Sequence, residues 1–351
     1  MHAAETAGLR EQIEQAPDRA RLEMLSRQFP DHLARLSERA VSPGEIGALL
    51  SALGEATTQR LLQLAEGELG PPPVPYAFVV AGSLARYEQI AASDQDNVLV
   101  LSNAYQASRH DDYFSRLARQ VCDGLAMCGY TYCPGEIMAS NPNWRQTRSN
   151  WHGLFSNWIQ TPDPVALLNA SIHFDQRAQF GDATLLQDLR ADVLRQTRAN
   201  RIFLAHLAAS AEQFRPALAW HGGLRWKRNS EGKRCIDLKK YGVTPVVDLA
   251  RVHALASGHS ATATRSRLAA MRSERMLSAT ESDDLNEAFD LVSTLRIGHQ
   301  ARQIRVGQQP DHLVLQREMS RARQADLKQA FRVIRAAQRR MARRFNSSAF
   351  H

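Results

Sequence analysis

Two short segments carry residue types that do chemistry together. The first, Val79-Val80-Ala81-Gly82-Ser83, is an apolar run that ends on Gly-Ser; the second, Ser93-Asp94-Gln95-Asp96-Asn97, leads into another apolar run, Val98-Leu99-Val100-Leu101. Gly82 lets the backbone approach a phosphate with no Cβ in the way, and Ser83 with neighbouring N–H groups can donate to its oxygens. Side chains alternate along a strand, so Asp94 and Asp96 share a face and both carboxylates can bind one or two Mg²⁺ ions. Hard cations held beside a phosphate can activate an attacking oxygen and stabilise a leaving pyrophosphate. Asp-x-Asp alone is common turn and cap chemistry, and Gly-Ser alone says less still. Joined between two apolar runs, they point to phosphate chemistry.

The elements that must position these residues are legible around them. Tyr76–Ala81 and Asn97–Leu101 are short, rich in β-branched residues and flanked by Gly, Ser, Asp and Asn, and read as buried strands. Ser171–Asp175 alternates Ile172 and Phe174 with polar neighbours and reads as a third strand. Before them, apolar residues from Leu9 to Leu69 recur at spacings of three and four, with a helix start predicted at Pro43 after Ser42. Gly70-Pro-Pro-Pro-Val-Pro75 forbids helix continuation and is the sharpest boundary in the chain. From Asp182 onward helical periodicity dominates, with a capping box at Ser278–Glu281 and a glycine-rich loop or hairpin between His221 and Thr244. The expected organisation is an N-terminal helical segment (1–70), a domain built on the strands (71–181) and a C-terminal helical domain (182–351), an α+β chain overall.

Composition bounds the rest. The 351 residues hold 44 Lys and Arg against 36 Asp and Glu, a net charge of +8 that suits an anionic partner or simply a solvated basic face. Four cysteines without CxxC spacing argue against a disulfide scaffold and structural zinc, and for a reducing compartment. No apolar run approaches a membrane span, and acids in the first residues argue against a signal peptide, so the cytoplasm is the expected location.

The Gly82-Ser83 and Asp94-x-Asp96 pair is similar to the signature of the DNA polymerase β-like nucleotidyltransferase superfamily. The longer string Gly82-Ser83-x-x-Arg86-x-Glu88 … Ser93-Asp94-Gln95-Asp96-Asn97 resembles the branch related to the uridylyltransferases of PII signalling proteins. Cys133-Pro134-Gly135 … Asn141-Pro142-x-Trp144-Arg145, Pro162-Asp163-Pro164, Phe174-Asp175-x-Arg177 and Asp237-Leu238-Lys239-Lys240 … Asp248-Leu249-Ala250-Arg251 also resemble that branch. The resemblance implies a polymerase β-like mixed-sheet domain with an all-α substrate-binding domain after it. It further implies an NTP co-substrate, Mg²⁺ or Mn²⁺ as cofactor, and a protein acceptor in bacterial signal transduction. Carried over by position, Asp94 and Asp96 become metal-binding carboxylates, with Asp175 as a candidate third. Gly82 and Ser83 become the triphosphate cradle, and Arg86 a candidate phosphate-neutralising cation. Lys239 and Lys240, in the helical domain, could reach a triphosphate across a cleft between domains, where ligand sites are favoured. Where the family reads Gly-Arg-Gly-Glu, this chain has Ala85-Arg86-Tyr87-Glu88, so a positive φ at Ala85 or Tyr87 would carry strain.

Each of these residues has a plainer reading. Arg86 fits a surface salt bridge, Asp175 a turn, Asp182 a helix cap, Lys239 and Lys240 a solvated basic turn, and Cys133 a buried thiol before a Pro-Gly turn. Trp144, Trp151 and Trp158 recur every seven residues, as on a packed helical face, and His173 suits a hydrogen-bonded neighbour. The Arg-rich stretch from Arg317 to Arg344 reads as an amphipathic helix with a basic outer face, so nucleic acid is not the favoured partner. Three functions therefore stand side by side: transfer of a nucleoside monophosphate to a protein hydroxyl, transfer to RNA or a small molecule, and a catalytically impaired nucleotide-binding regulator.

Overall fold

The computed structural model describes residues 2–347, and the chain divides into two compact units. The first comprises the chain up to Arg39, Gly44–Asn157 and Ile172–Val193; the second comprises Ala40–Pro43, Trp158–Ser171 and the chain from Leu194 onward. Four helices open the chain: α1 (His2–Glu14), α2 (Arg19–Ser26), α3 (Phe29–Glu38) and α4 (Pro43–Leu69). There follow β1 (Tyr76–Ala81), the single turn α5 (Gly82–Ala85), β2 (Asp94–Gln95), β3 (Asn97–Leu101), α6 (Ala107–Met127), β4 (Thr131–Tyr132) and β5 (Arg145–Thr147). Helices α7 (Arg148–Gln160) and α8 (Pro164–His173) lead to β6 (Gln176–Gly181) and α9 (Thr184–Ala199).

The sheet of the first unit runs β5-β3-β1-β6. Strand β1 is antiparallel to both β3 and β6, while β3 and β5 are parallel, which makes the sheet mixed. Every residue of β1 and β3 is buried, as expected of continuous apolar runs at the centre of a covered sheet. Helix α6 buries Phe114, Leu117, Ala118, Val121 and Leu125, a stripe at helical spacing, and Tyr76 of β1 meets Phe114 edge to face at 5.5 Å. Trp151 is fully buried and its Nε1 donates to the Leu99 carbonyl at 2.9 Å, tying α7 to the central strand. The Pro-rich segment from Gly70 to Pro75 turns α4 into β1 inside the first unit rather than dividing two units.

The expected strand at 171–175 is instead the end of α8 and a turn, and the strand beside β1 begins one residue later. Helical spacing wins there because Ala166, Leu167, Ala170, His173 and Phe174 are buried, at steps of one, three, three and one, while Ile172 is only half-buried.

The second unit adds α10 (Arg201–Ala211), β7 (Lys227–Arg228), β8 (Arg234–Asp237), α11 (Thr244–Ser257), α12 (Thr264–Ser273), α13 (Ala279–Arg305), β9 (Leu313–Leu315) and α14 (Arg321–Phe345). It is helical apart from one small antiparallel sheet, β7-β8-β9, which includes the hairpin expected between His221 and Thr244. Ser278 and Glu281 form the capping box that starts α13. Helix α14 buries Leu327, Ala330, Phe331, Ile334, Ala337 and Met341 and turns its arginines outward, the amphipathic pattern its sequence carries. A π-helical turn at Lys239–Val243 precedes α11. Among the described residues no helix is long and apolar enough to cross a membrane.

Candidate active site

The site lies where β1 ends and β2 passes into β3. Backbone pairing continues beyond the regular ladder, because the Ala81 N–H donates to the Asp96 carbonyl at 2.8 Å. Ser93, Gln95 and Asn97 are buried, whereas the alternating Asp94 and Asp96 are half-buried. The buried set is anchored by side-chain hydrogen bonds. Gln95 Nε2 donates to the carbonyls of Cys122 (3.0 Å) and Tyr130 (3.3 Å), and Asn97 Oδ1 accepts from the Ala139 N–H at 2.8 Å. This anchoring fixes the strand's rotation and leaves the two carboxylates on the opposite face.

Strands β2 and β4 are parallel, with Asp94 opposite Thr131 and Gln95 opposite Tyr132. The same alternation on both sides gives each carboxylate a donor: Thr131 Oγ1 donates to Asp94 Oδ1 at 3.0 Å, and the Cys133 thiol is hydrogen-bonded to Asp96. Burial, and then the Asp96 charge, push the Cys133 thiol up to about 11, so it is a protonated donor at neutral pH. The Pro134-Gly135 turn after it is closed by the Glu136 N–H to the Cys133 carbonyl at 2.9 Å.

Gly82 has φ +60°, and a Cβ built on it would stand 2.4 Å from Asp96 Oδ2. Only glycine brings this turn so close to that carboxylate. Ser83 is half-buried one residue on, in a turn whose opening N–H groups have no intrahelical acceptor. Gly82, Ser83 and Asp96 thus meet at one corner, with Asp94 on the same face of its strand.

The remaining predicted residues sort differently. Arg86 Nη1 donates to Asp175 Oδ2 at 2.7 Å and its Nε to Glu88 Oε2 at 2.9 Å, so Arg86 is part of an ion-paired cluster rather than a surface bridge. Asp175 is fully buried and immediately precedes Gln176, the partner of Ala81 across the β1–β6 ladder. Arg190 also faces it: burial draws that guanidinium below its ordinary value, and the Asp175 charge opposes this. Among the described residues no three His, Cys, Asp or Glu side chains are grouped to hold a metal. Lys239 and Lys240 belong to the second unit.

Tyr87, not Ala85, takes the left-handed conformation, with φ +61°. Its ring lies 4.1 Å from the Arg177 guanidinium, which is itself bound to Glu55 and to the Leu84 carbonyl. Arg145 is buried against Asp111 and the Ala139 carbonyl, a structural role. His173 is enclosed by Trp144 and Trp151, its Nδ1 bonded to Gln176 at 3.0 Å, and burial draws it down to about 3. Asp182 accepts from the Thr184 N–H at 3.0 Å, in the turn that starts α9.

Residues 27–165 match the family described as Putative nucleotidyltransferase DUF294, and residues 201–345 match the family described as Putative nucleotidyltransferase substrate binding domain. These two matches indicate a nucleotidyltransferase family. No curated protein matches the chain. The nucleotidyltransferase match takes in Gly82, Ser83, Arg86, Asp94 and Asp96 and ends before Asp175; the substrate-binding match takes in Lys239 and Lys240. A nucleotidyltransferase draws its transferred group from an NTP, so the match implies an NTP substrate.

Proposed function

We propose that the first unit moves a nucleoside monophosphate from an NTP to a hydroxyl, with release of pyrophosphate, and that the acceptor is a protein, as the likeness to PII uridylyltransferases suggests. One observation carries this reading: the Asp96 carboxylate lies against Gly82, and Asp94 and Asp96 occupy one half-buried face. The residues fit a hard divalent cation, because Mg²⁺ and Mn²⁺ take one or two protein carboxylates and complete their shell with phosphate oxygens and water. Such an ion, held by Asp94 and Asp96, supplies charge neutralisation and activation of the attacking oxygen. Gly82 keeps the backbone open to a phosphate, and Ser83 donates to its oxygens. Gln95 and Asn97 hold the strand rigid, so that the carboxylates need little reorganisation on binding. Asp175 and Glu88 fix Arg86 beside this corner, where it adds positive potential.

Tyr87 favours a second reading, nucleotide binding without transfer, since it takes a left-handed conformation where the family carries glycine. One experiment separates the two. With each labelled NTP, Mg²⁺ or Mn²⁺ and cell extract, the wild-type chain labels a protein, while Asp94→Asn and Asp96→Asn lose more than about 100-fold with unchanged circular dichroism. Labelling by both variants at the wild-type rate rejects the assignment, and binding without labelling by the wild type supports the regulator.

A further inference from the structure

We propose that the second unit carries its own binding site for a small phosphate-bearing anion, independent of the transfer assigned to the first unit. The site is a cleft of about 420 Å³ whose lining includes Arg215, Arg225, Arg335 and Tyr241, with Pro216 and Leu218 as its apolar part. That volume lies in the range of small-molecule clefts and is too small to seat a folded partner. Its charge is strongly one-sided. Glu212, the one acid among the described lining residues, is occupied by Arg215 at 3.2 Å and by the Ser347 hydroxyl at 2.6 Å. Neither Arg225 nor Arg335 has a carboxylate partner among the described residues.

Further cations crowd the same place. Lys240 Nζ lies 5.5 Å from the Phe214 ring centre and 5.7 Å from that of Tyr241. Arg225 lies 5.9 Å and Lys227 5.6 Å from the Tyr241 ring, and Lys227 Nζ also donates to the Tyr241 hydroxyl at 3.2 Å. Three cations around one ring repel one another, and the ring's quadrupole offsets only part of that. An anion relieves the repulsion, and planar guanidinium groups match phosphate oxygens in pairs. Tyr241 and Lys240 sit on the π-helical turn, an irregularity that is rare in helices and frequent at functional sites. Lys240, which from the sequence could serve either a phosphate or a solvated basic turn, thus gains a use within its own unit.

Calorimetric titration of the full chain with inorganic pyrophosphate, in EDTA and at low ionic strength, tests this without a metal to support binding at Asp94 and Asp96. The expected result is one saturable site per chain, weakened at least 10-fold in Arg225→Ala/Arg335→Ala, weakened less in Lys240→Ala, and within twofold of wild type in Asp94→Asn. Raising the salt weakens it further. Thermal unfolding of each variant checks that the second unit stays folded, and Lys240→Ala, which trims one exposed side chain, keeps the test open if the double variant does not fold. Absence of saturation in the wild type overturns the proposal, as does wild-type affinity in the double variant, or loss in Asp94→Asn alone. Because Asp94→Asn spares this site, failure here and failure of the transferase reading are distinguishable.

Discussion

At the scale of single residues, the corner of Gly82 and Asp96 is the most sensitive point. Gly82→Ala would hold an L-residue at φ +60° and drive Asp96 aside, so it should cost about 1–2 kcal/mol in urea unfolding and weaken nucleotide binding as well. Asp175→Ala should cost more, about 3–5 kcal/mol, because it removes the buried carboxylate that Arg86 and Arg190 both face; Arg86 keeps Glu88, whereas the charge of Arg190 then loses the carboxylate opposing its desolvation. If Asp175 were only a solvated turn residue, the same substitution would change stability by under about 0.5 kcal/mol. The shared face of Asp94 and Asp96 is legible in the sequence because strand alternation is a local rule. The Arg86–Asp175 pair spans 89 residues, and the Cys133–Asp96 bond joins two strands through a tertiary ladder. No spacing encodes either one. The nearest signal was that each residue belonged to a string resembling the same family.

At the scale of elements, β1 and β3 are readable because a fully buried strand is a continuous apolar run, and α13 because its capping box sits in four consecutive residues. Strand β6, Gln176–Gly181, is not readable: it is polar, it lies at the sheet's edge, and its register shifts between Phe78 and Val79. The short alternation of Ile172 and Phe174 pointed to the wrong five residues because the end of α8 satisfies a period of two and a helical period equally well over so short a stretch. That junction also holds His173, neutral in the fold down to about pH 3 and at an ordinary value near 6.5 when unfolded. Between these values the unfolded chain takes up a proton that the folded chain refuses. Stability is therefore complete above about pH 6.5 and falls with acidification by up to about 1.4 kcal/mol per pH unit. Urea unfolding followed by tryptophan fluorescence at pH 7.5 and pH 5 should show this loss, and His173→Gln should reduce it, leaving the part that comes from His253 and the other imidazoles drawn down by burial. An identical pH slope in that variant would contradict the neutral, buried assignment.

At the scale of the molecule, the excess of basic residues has two separate outlets. In the first unit Arg86, Arg145 and Arg177 are matched by carboxylates and serve the frame of the site. In the second, Arg225 and Arg335 line a cleft and Lys240 lies beside the Tyr241 ring that also lines it, and none of the three is matched by a carboxylate among the described residues. The net charge of +8 could not tell these apart, since composition counts charges and not partners. In the first unit, the role proposed for Asp94 and Asp96 is to gather a divalent ion and the phosphates of a nucleotide beside Gly82. Electron paramagnetic resonance of Mn²⁺ in the full chain, with a non-transferable NTP analogue present, reads this directly. The wild-type chain should bind Mn²⁺ saturably, and Asp94→Asn and Asp96→Asn should each weaken it at least 10-fold; equal Mn²⁺ affinity in all three proteins would contradict the account.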